Sequence, residues 1–246
     1  LPLLFFVPDQ LHRGLSRVAA AKEGVVRLGH TISKAWHFRN VVLYLFSRMA
    51  FYDGLNAIFV FGGILAATTF GWGAKEMAAY GLWATFFAAI GSFIGGWADQ
   101  KFGSKSTLLA SLVLALASFV LLVSIVREQI FFVVHIDVAA DAAVFTTVPQ
   151  LMFFATIAFF ALAAGPAIAS SRTMLARIAP VEMMTEFFGL YSLAGKATTF
   201  VAPLLIGIVT YETGSQRIGL TVVVPMIIIG IAMLSFVKEE RATAIA

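Results

Sequence analysis

The stretch from Asn40 to Phe70 constrains the fold of this chain more than any other. It reads NVVLYLFSRMAFYDGLNAIFVFGGILAATTF and is long enough to cross a lipid bilayer, which takes roughly 20 apolar residues. It nevertheless carries Arg48 near one end and Asp53 close to its middle. An ionised carboxylate at that depth costs about 3 kcal/mol on insertion scales, so it needs a partner, a water-filled cavity or a proton. Asp53 is therefore the first candidate functional residue.

The composition is that of a membrane protein without catalytic or metal chemistry. The chain is 60% hydrophobic and 12% charged, whereas a soluble domain has about 25% charged residues. It contains no cysteine, which excludes disulfides, thiolate metal sites and a cysteine nucleophile. The four histidines share no metal-ligand spacing, and the sequence has no phosphate-binding loop or nucleophile elbow. We therefore expect no enzyme, no cofactor, no metal and no nucleic-acid partner.

Hydropathy predicts an all-α polytopic fold with six spans in a bundle over residues 40–238. The spans cover residues 40–66, 77–97, 106–126, 149–170, 185–209 and 218–237. We interpret residues 1–8 as the end of a preceding transmembrane helix, 9–39 as a basic amphipathic cytoplasmic linker and 239–246 as a cytoplasmic tail. The connection at 127–149, which contains IFFVVHIDV, is predicted to be an external loop or a short extended segment.

The basic residues predict the orientation of the spans. Twelve of the 17 Lys and Arg residues fall on one side of the predicted bundle, three on the other and two within spans. The positive-inside rule then puts both termini in the cytoplasm. The six spans divide into two sets of three with opposite directions, which is the topology of half a transporter built from inverted repeats. No residue-level similarity between the two sets is visible.

Asp53 and Lys196 are the two charges expected to meet inside the bundle. Each lies about a dozen residues from the cytoplasmic end of its predicted helix, so the two are at similar depth. Each would otherwise bear its desolvation cost alone. Three interpretations stay open: a fixed ion pair that locks two helices, a pair that breaks and re-forms as substrate or a proton binds, or two charges that do not meet.

Four further polar residues in or near the spans have alternative roles. Asn56 and Tyr191 either line a polar cavity or form interhelical hydrogen bonds. For Arg48, snorkelling to the interface is favoured. Arg172, at the inner end of the predicted fourth span, either caps that helix, neutralises an acid such as Glu186, or makes a gate contact.

Small residues and prolines mark helix contacts and helix distortions. Gly91 and Gly95 form a GxxxG pair in the second span, which predicts close approach to another helix. Pro166 in the fourth span and Pro203 in the fifth are expected to kink or loosen those helices.

The loop between the second and third spans reads GGWADQKFGSK. It resembles the signature loop of the major facilitator superfamily, in which a Gly is followed by an Asp four residues on, a Gly three after that, and basic residues. Gln100 stands where that Asp is expected and Asp99 one place earlier, which weakens the expectation that the loop keeps its charge contact to a neighbouring helix. The candidate gating residues are Gly96, Asp99, Gln100, Lys101, Gly103 and Lys105.

Three other stretches carry a more specific resemblance: RMAFYDGLNAIFVFGG, AGPAIASSRTMLARIAP, and MTEFFGLYSLAGKATTFVAPLLIG followed by TGSQR. They resemble the C-terminal half of the vacuole-effluxer-like (autophagy-related) branch of that superfamily. The resemblance implies helices seven to twelve of a twelve-helix fold, with 3+3 inverted repeats and an N-terminal six-helix half as partner. It also places five candidate residues in the branch's recurring motifs: Asp53, Asn56, Arg172, Tyr191 and Lys196.

The same resemblance implies a transport function. We expect alternating-access movement of a small polar solute, with amino-acid efflux as the activity implied for eukaryotic members, coupled to a proton or another ion. A bacterial inner membrane is the expected location. The alternative is a non-transporting membrane scaffold or receptor subunit, in which Asp53 and Lys196 form a structural pair.

Overall fold

A computed structural model describes residues 35–131, 133–136 and 145–240. The chain divides into two compact units, Leu1–Phe38 and Arg39–Ala246. In the first unit the described residues begin at Ala35, whose carbonyl accepts a hydrogen bond from the Phe38 amide at 2.8 Å. The predicted helix end at 1–8 and the predicted linker up to residue 34 lie outside the described residues.

The second unit confirms the predicted all-α, polytopic fold. Its described helices are α1 (Arg39–Phe70), α2 (Ala74–Phe102), α3 (Ser104–Val123), α4 (Val148–Ile178), α5 (Met184–Ala197), α6 (Val201–Thr213), α7 (Gln216–Leu220) and α8 (Val223–Phe236). Within the described ranges, six segments are long and apolar enough to cross a membrane. The 3-10 turn Val181–Met183, α5 and α6 together make the fifth span, and α7 and α8 make the sixth.

The two sets of three spans pack reciprocally. α4, which opens the second set, lies against α2 and α3 of the first set, while α1 lies against α8 and α5 of the second. The first helix of each set therefore contacts the second and third spans of the other, as in an inverted 3+3 repeat. The Asn40 side chain donates to the Lys238 carbonyl at 2.7 Å and accepts from the Lys238 amide at 2.8 Å, so the first span begins where the sixth ends.

Glycines bring α2 and α4 into close contact. A Cβ added to Gly91 would lie 2.2 Å from the carbonyl oxygen of Leu162, and one added to Gly95 would lie 2.4 Å from Cβ of Pro166. This confirms the close approach predicted from the GxxxG pair. α4 continues through Pro166 as an unbroken helix, whereas the fifth span is interrupted shortly before Pro203.

The connection between α3 and α4 contains a short hairpin. β1 (Gln129–Ile130) pairs antiparallel with β2 (Val134–His135), and Phe131 at the turn has a φ of 54°. The extended segment that was one of two predictions for this connection is confirmed. Residue 132 and residues 137–144 of this connection lie outside the described residues.

Candidate functional site

The interruption of the fifth span provides a partner for Asp53. α5 ends at Ala197 and α6 begins at Val201, so the first amides of α6 lack carbonyl partners within their own helix. One of them, the amide of Ala202, donates to Oδ2 of Asp53 at 3.1 Å. Asp53 is only 3% exposed. The partial positive charge at the start of α6 stabilises this carboxylate between the two helices.

Lys196 does not lie next to Asp53 at the start of α6. Its side chain is exposed on the last turn of α5 and forms no hydrogen bond or ion pair within the described part of the chain. The fixed Asp53–Lys196 ion pair is therefore absent from this structure. The physical reason is the interruption, because the cation lies at the negative end of α5 while the carboxylate lies at the positive end of α6. A pair that forms in another conformation stays a prediction.

Arg48 lies inside the bundle between aromatic rings. It is 5% exposed, and its Cζ lies 4.4 Å from the ring centroid of Tyr52 and 3.5 Å from that of Tyr191. Nη1 donates to the Tyr191 carbonyl at 2.9 Å, while the buried Nε has no hydrogen-bond partner among the described residues. The snorkelling interpretation of Arg48 is therefore wrong, because rings from α1 and α5 enclose the guanidinium.

The polar contacts of Tyr191 extend this cluster to α4. Its hydroxyl shares a 2.6 Å hydrogen bond with Oγ of Ser171, and the Tyr44 hydroxyl donates to the Ser171 carbonyl. Of the two roles open for Tyr191, the structure shows the interhelical hydrogen bond. Asn56 is half-buried, and its side-chain amide forms no hydrogen bond with the described residues. The roles proposed for Asn56 therefore stay predictions.

The signature loop keeps a charge contact to a neighbouring helix, although its acid, Asp99, stands one place earlier than the family pattern. Asp99 is 5% exposed, and its Oδ1 lies 3.2 Å from Nη2 of Arg177 at the end of α4. Ser104 and Thr173 donate their hydroxyls to the same carboxylate at 2.5 Å each. Nη1 of Arg177 lies 2.8 Å from Oε1 of Glu239. Asp99 thus links α2 to α4 although it stands one place earlier than the family pattern.

Glu239 closes this network onto the start of α3. Its carboxylate accepts from the amides of Ser104 at 2.9 Å and Lys105 at 3.1 Å. Gly103 has a φ of 87°, and a Cβ there would lie 3.0 Å from Oε2 of Glu239. Nζ of Lys105 donates to the Ser235 carbonyl at 2.7 Å. The first residue of the predicted tail is therefore part of the loop network.

The other three gating candidates lie outside that network. Gly96 and Gln100 are exposed, and a Cβ at Gly96 would meet no atom of the described residues within 4 Å. The Lys101 ammonium lies 5.1 Å from the ring centroid of Trp97 and 5.4 Å from that of Phe102, in the range of a cation–π interaction.

Arg172 does not have the helix-capping role considered for it. α4 continues past it to Ile178, so Arg172 is not at the helix end. Its side chain is exposed and forms no ion pair with Glu186 or any other described carboxylate. The gate contact proposed for Arg172 stays a prediction. The interhelical charge contact of α4 belongs instead to Arg177, which sequence reasoning had not singled out although it lies in the ARIAP motif at the helix end.

Comparison with known proteins is consistent with this architecture. The family model described as "Vacuole effluxer Atg22 like" matches residues 1–246. The chain is 26% identical over 224 residues to a Bacillus subtilis protein named uncharacterized MFS-type transporter YxiO, a match that covers 89% of this chain and 46% of that protein. It is 30% identical over 83 residues to autophagy-related protein 22 of Cryptococcus neoformans, covering 34% of this chain and 15% of that protein.

The chain thus spans less than half the length of either relative. The family match, by contrast, runs from its first residue to its last. The six apolar spans and the reciprocal packing of their two sets agree with an integral, multi-pass transporter of the major facilitator type. On these grounds the chain belongs to the Vacuole effluxer Atg22-like family of membrane transporters.

Proposed function

We propose that this chain forms six spans of a secondary active transporter that moves a small polar solute, such as an amino acid, by alternating access. The observation that carries the proposal is the buried carboxylate of Asp53 held against the start of α6. Interrupted helices whose ends face ions or substrates form the binding sites of many secondary transporters. A carboxylate near mid-membrane depth is also the kind of group that takes up a coupling proton or ion.

The coupling step follows from the bond between Asp53 and Ala202. While the carboxylate is ionised, it attracts the positive end of α6 and keeps that helix against α1. Uptake of a proton removes the charge and weakens the bond. Hydrogen bonds to charged groups contribute about 1.5–3 kcal/mol, which corresponds to roughly a 10- to 100-fold change in a two-state equilibrium. Protonation of Asp53 would thereby favour a conformation in which α6 has moved.

The Asp99–Arg177–Glu239 network is proposed to be a gate. It joins the ends of α2, α4 and α8 and the start of α3, so the network must open for these helix ends to separate. The described basic residues near this end of the bundle are Arg39, Lys101, Lys105, Arg172, Arg177 and Lys238. The positive-inside rule then favours the cytoplasmic side for it, with both termini there. A bacterial inner membrane is the proposed location.

A second six-helix half is the proposed partner. Lys196 is exposed near the middle of the fifth span without a partner among the described residues, and a cation facing lipid in that position is costly. A solute pathway between two halves would remove that cost. The relative from Bacillus subtilis, of which the chain covers 46%, is long enough to include such a half.

The test is transport by the full-length protein in proteoliposomes. Uptake and efflux of a radiolabelled amino-acid panel are measured with and without a pH gradient, for the wild type, Asp53→Asn and the control Glu212→Gln, which neutralises an exposed carboxylate at the end of α6. We expect gradient-dependent flux in the wild type and the control, and its loss in Asp53→Asn. Full gradient dependence in Asp53→Asn would refute the coupling role. No flux of any amino acid by folded wild type would refute the amino-acid assignment.

A further inference from the structure

Arg48 is a buried cation inside a membrane span and has no carboxylate partner among the described residues. It lies nine residues into α1, which places it roughly 13 Å from the start of that helix. It is 5% exposed, and none of the described carboxylates comes within ion-pair distance of its guanidinium. A cation at such a position is costly unless something compensates its charge.

The aromatic rings compensate that charge only in part. The rings of Tyr52 and Tyr191 contact the guanidinium through cation–π interactions, which involve the ring faces and use none of the N–H donors. A guanidinium has five such donors. In the described structure Nη1 donates to the Tyr191 carbonyl, whereas Nε is buried without a partner. The side edge formed by Nε and Nη2 therefore has donors that no described residue satisfies.

Gly195 fixes the position of this group against α5. A Cβ at residue 195 would lie 2.5 Å from Nη1 and 2.9 Å from Nη2 of Arg48, so no larger side chain fits there without displacing the guanidinium. The glycine on one side and the two tyrosine rings hold the cation in one place. Such preorganisation lowers the entropic cost of binding a ligand.

We propose that Arg48 binds the carboxylate of the transported solute through this side edge. The proposal rests on the transport function proposed above and names the group that the site recognises. A planar carboxylate accepts two parallel N–H bonds from the edge of a guanidinium, a match that a lysine ammonium cannot reproduce.

The rest of the solute would lie along α1. Tyr52 and Asn56 follow Arg48 at steps of four residues, so the three side chains share one face of the helix. Both are half-buried, and the Asn56 amide forms no hydrogen bond with the described residues. This amide supplies a donor and an acceptor for a second polar group of the solute, about 12 Å or two helical turns along α1 from Arg48.

The proposal is tested by transport kinetics in proteoliposomes of the full-length protein. Initial rates of a transported amino acid are measured for the wild type, Arg48→Gln, Arg48→Lys and the control Arg39→Gln, which neutralises an exposed arginine at the start of the same helix. We expect KM to rise about 10- to 100-fold in Arg48→Gln, the range that corresponds to loss of hydrogen bonds to a charged group, with a smaller change in kcat. Arg48→Lys should also raise KM, and Arg39→Gln should not.

A second measurement uses only the wild type and does not depend on whether the variants fold. The same amino acid with its carboxylate converted to an amide is added as a competitor, and it should inhibit at least tenfold more weakly than the acid. Equal inhibition by the amide, or an unchanged KM in folded Arg48→Gln, would overturn the proposal.

Failure of the transport proposal gives a different result. If the wild type carries no amino acid, the melting temperature of the purified protein is measured with a panel of small carboxylates, including acids without an amino group, and with their amides. A rise in melting temperature with an acid but not with its amide, absent in Arg48→Lys, would support the carboxylate site. No stabilisation by any acid overturns it.

Discussion

The carboxylate of Asp53 and the backbone amide of Ala202 are 149 residues apart in the sequence and joined by a 3.1 Å hydrogen bond. The bond connects the first span to the interruption of the fifth. The Ala202 amide stays a hydrogen-bond donor when Asp53 is replaced. A neutral side chain with an acceptor oxygen, such as asparagine, can therefore keep the hydrogen bond while losing the charge. Charge and hydrogen bonding at this position can therefore be separated by experiment.

Asp53→Asn should be more stable than Asp53→Ala. The asparagine oxygen can still accept from Ala202, whereas alanine leaves that buried amide unpaired, which costs about 1–3 kcal/mol. We expect the free energy of unfolding in detergent to differ between the two variants by this amount. Equal stability of the two variants would show that the amide finds another acceptor.

Gly95→Ala should destabilise the protein, and Gly81→Ala should not. A Cβ at Gly95 would lie 2.4 Å from Cβ of Pro166, whereas a Cβ at Gly81 on the same helix would lie more than 4 Å from every atom in the described part of the chain. Overpacking of a close contact typically costs about 1–3 kcal/mol. Thermal unfolding of both variants beside the wild type measures the effect. A similar melting temperature for both would contradict the α2–α4 contact.

The fold was largely predictable because apolar runs and the spacing of small residues are visible in short stretches of sequence, and these features determine the spans and their close contacts. Six apolar spans and the Gly91–Gly95 contact follow from spacing alone. Pro203 indicated a weakened fifth span, but not that the interruption would present an amide to Asp53. That contact depends on the packing of two helices distant in sequence, which periodicity does not encode.

The site was less predictable, because the long side chains of arginines reach different partners from the same backbone position. Arg48 lies about two turns inside the predicted end of its span, where a long side chain fits snorkelling as well as burial, and only the ring of Tyr191 on another helix decides between them. Arg177 and Glu239 were missed for a similar reason. Their contacts to the signature loop span 78 residues or more of sequence, and both residues lie beyond the predicted ends of their spans.

Asp99→Asn should loosen the end of the bundle where α2 meets α3. The substitution removes the charge that faces Arg177 at 3.2 Å while keeping the size of the side chain. The chain contains no cysteine, so Ser170→Cys adds a single thiol at a buried position on α4 near this network. We expect maleimide to label that thiol about tenfold faster in the Asp99→Asn background, the effect of losing a charged hydrogen bond.

The control for this labelling is a thiol at the opposite end of the bundle. Ser124→Cys introduces it at another buried serine, at the end of α3. Its labelling rate should be the same with Asp99 and with Asn at residue 99. Faster labelling at both positions would indicate general destabilisation instead of opening at one end.

A double-mutant cycle decides whether Asp53 and Lys196 interact. In the structure the Asp53 carboxylate accepts a hydrogen bond from the Ala202 amide, and Lys196 is exposed. The effects of Asp53→Asn and Lys196→Gln on the free energy of unfolding should therefore add within about 0.5 kcal/mol. The matched cycle of Asp99→Asn and Arg177→Gln, whose side chains are 3.2 Å apart, should show a coupling of about 0.5–3 kcal/mol. A coupling of that size between Asp53 and Lys196 would mean that the two charges pair in a substantially populated conformation. Additivity would restrict any role of Lys196 in transport to contacts with the solute or with the second half.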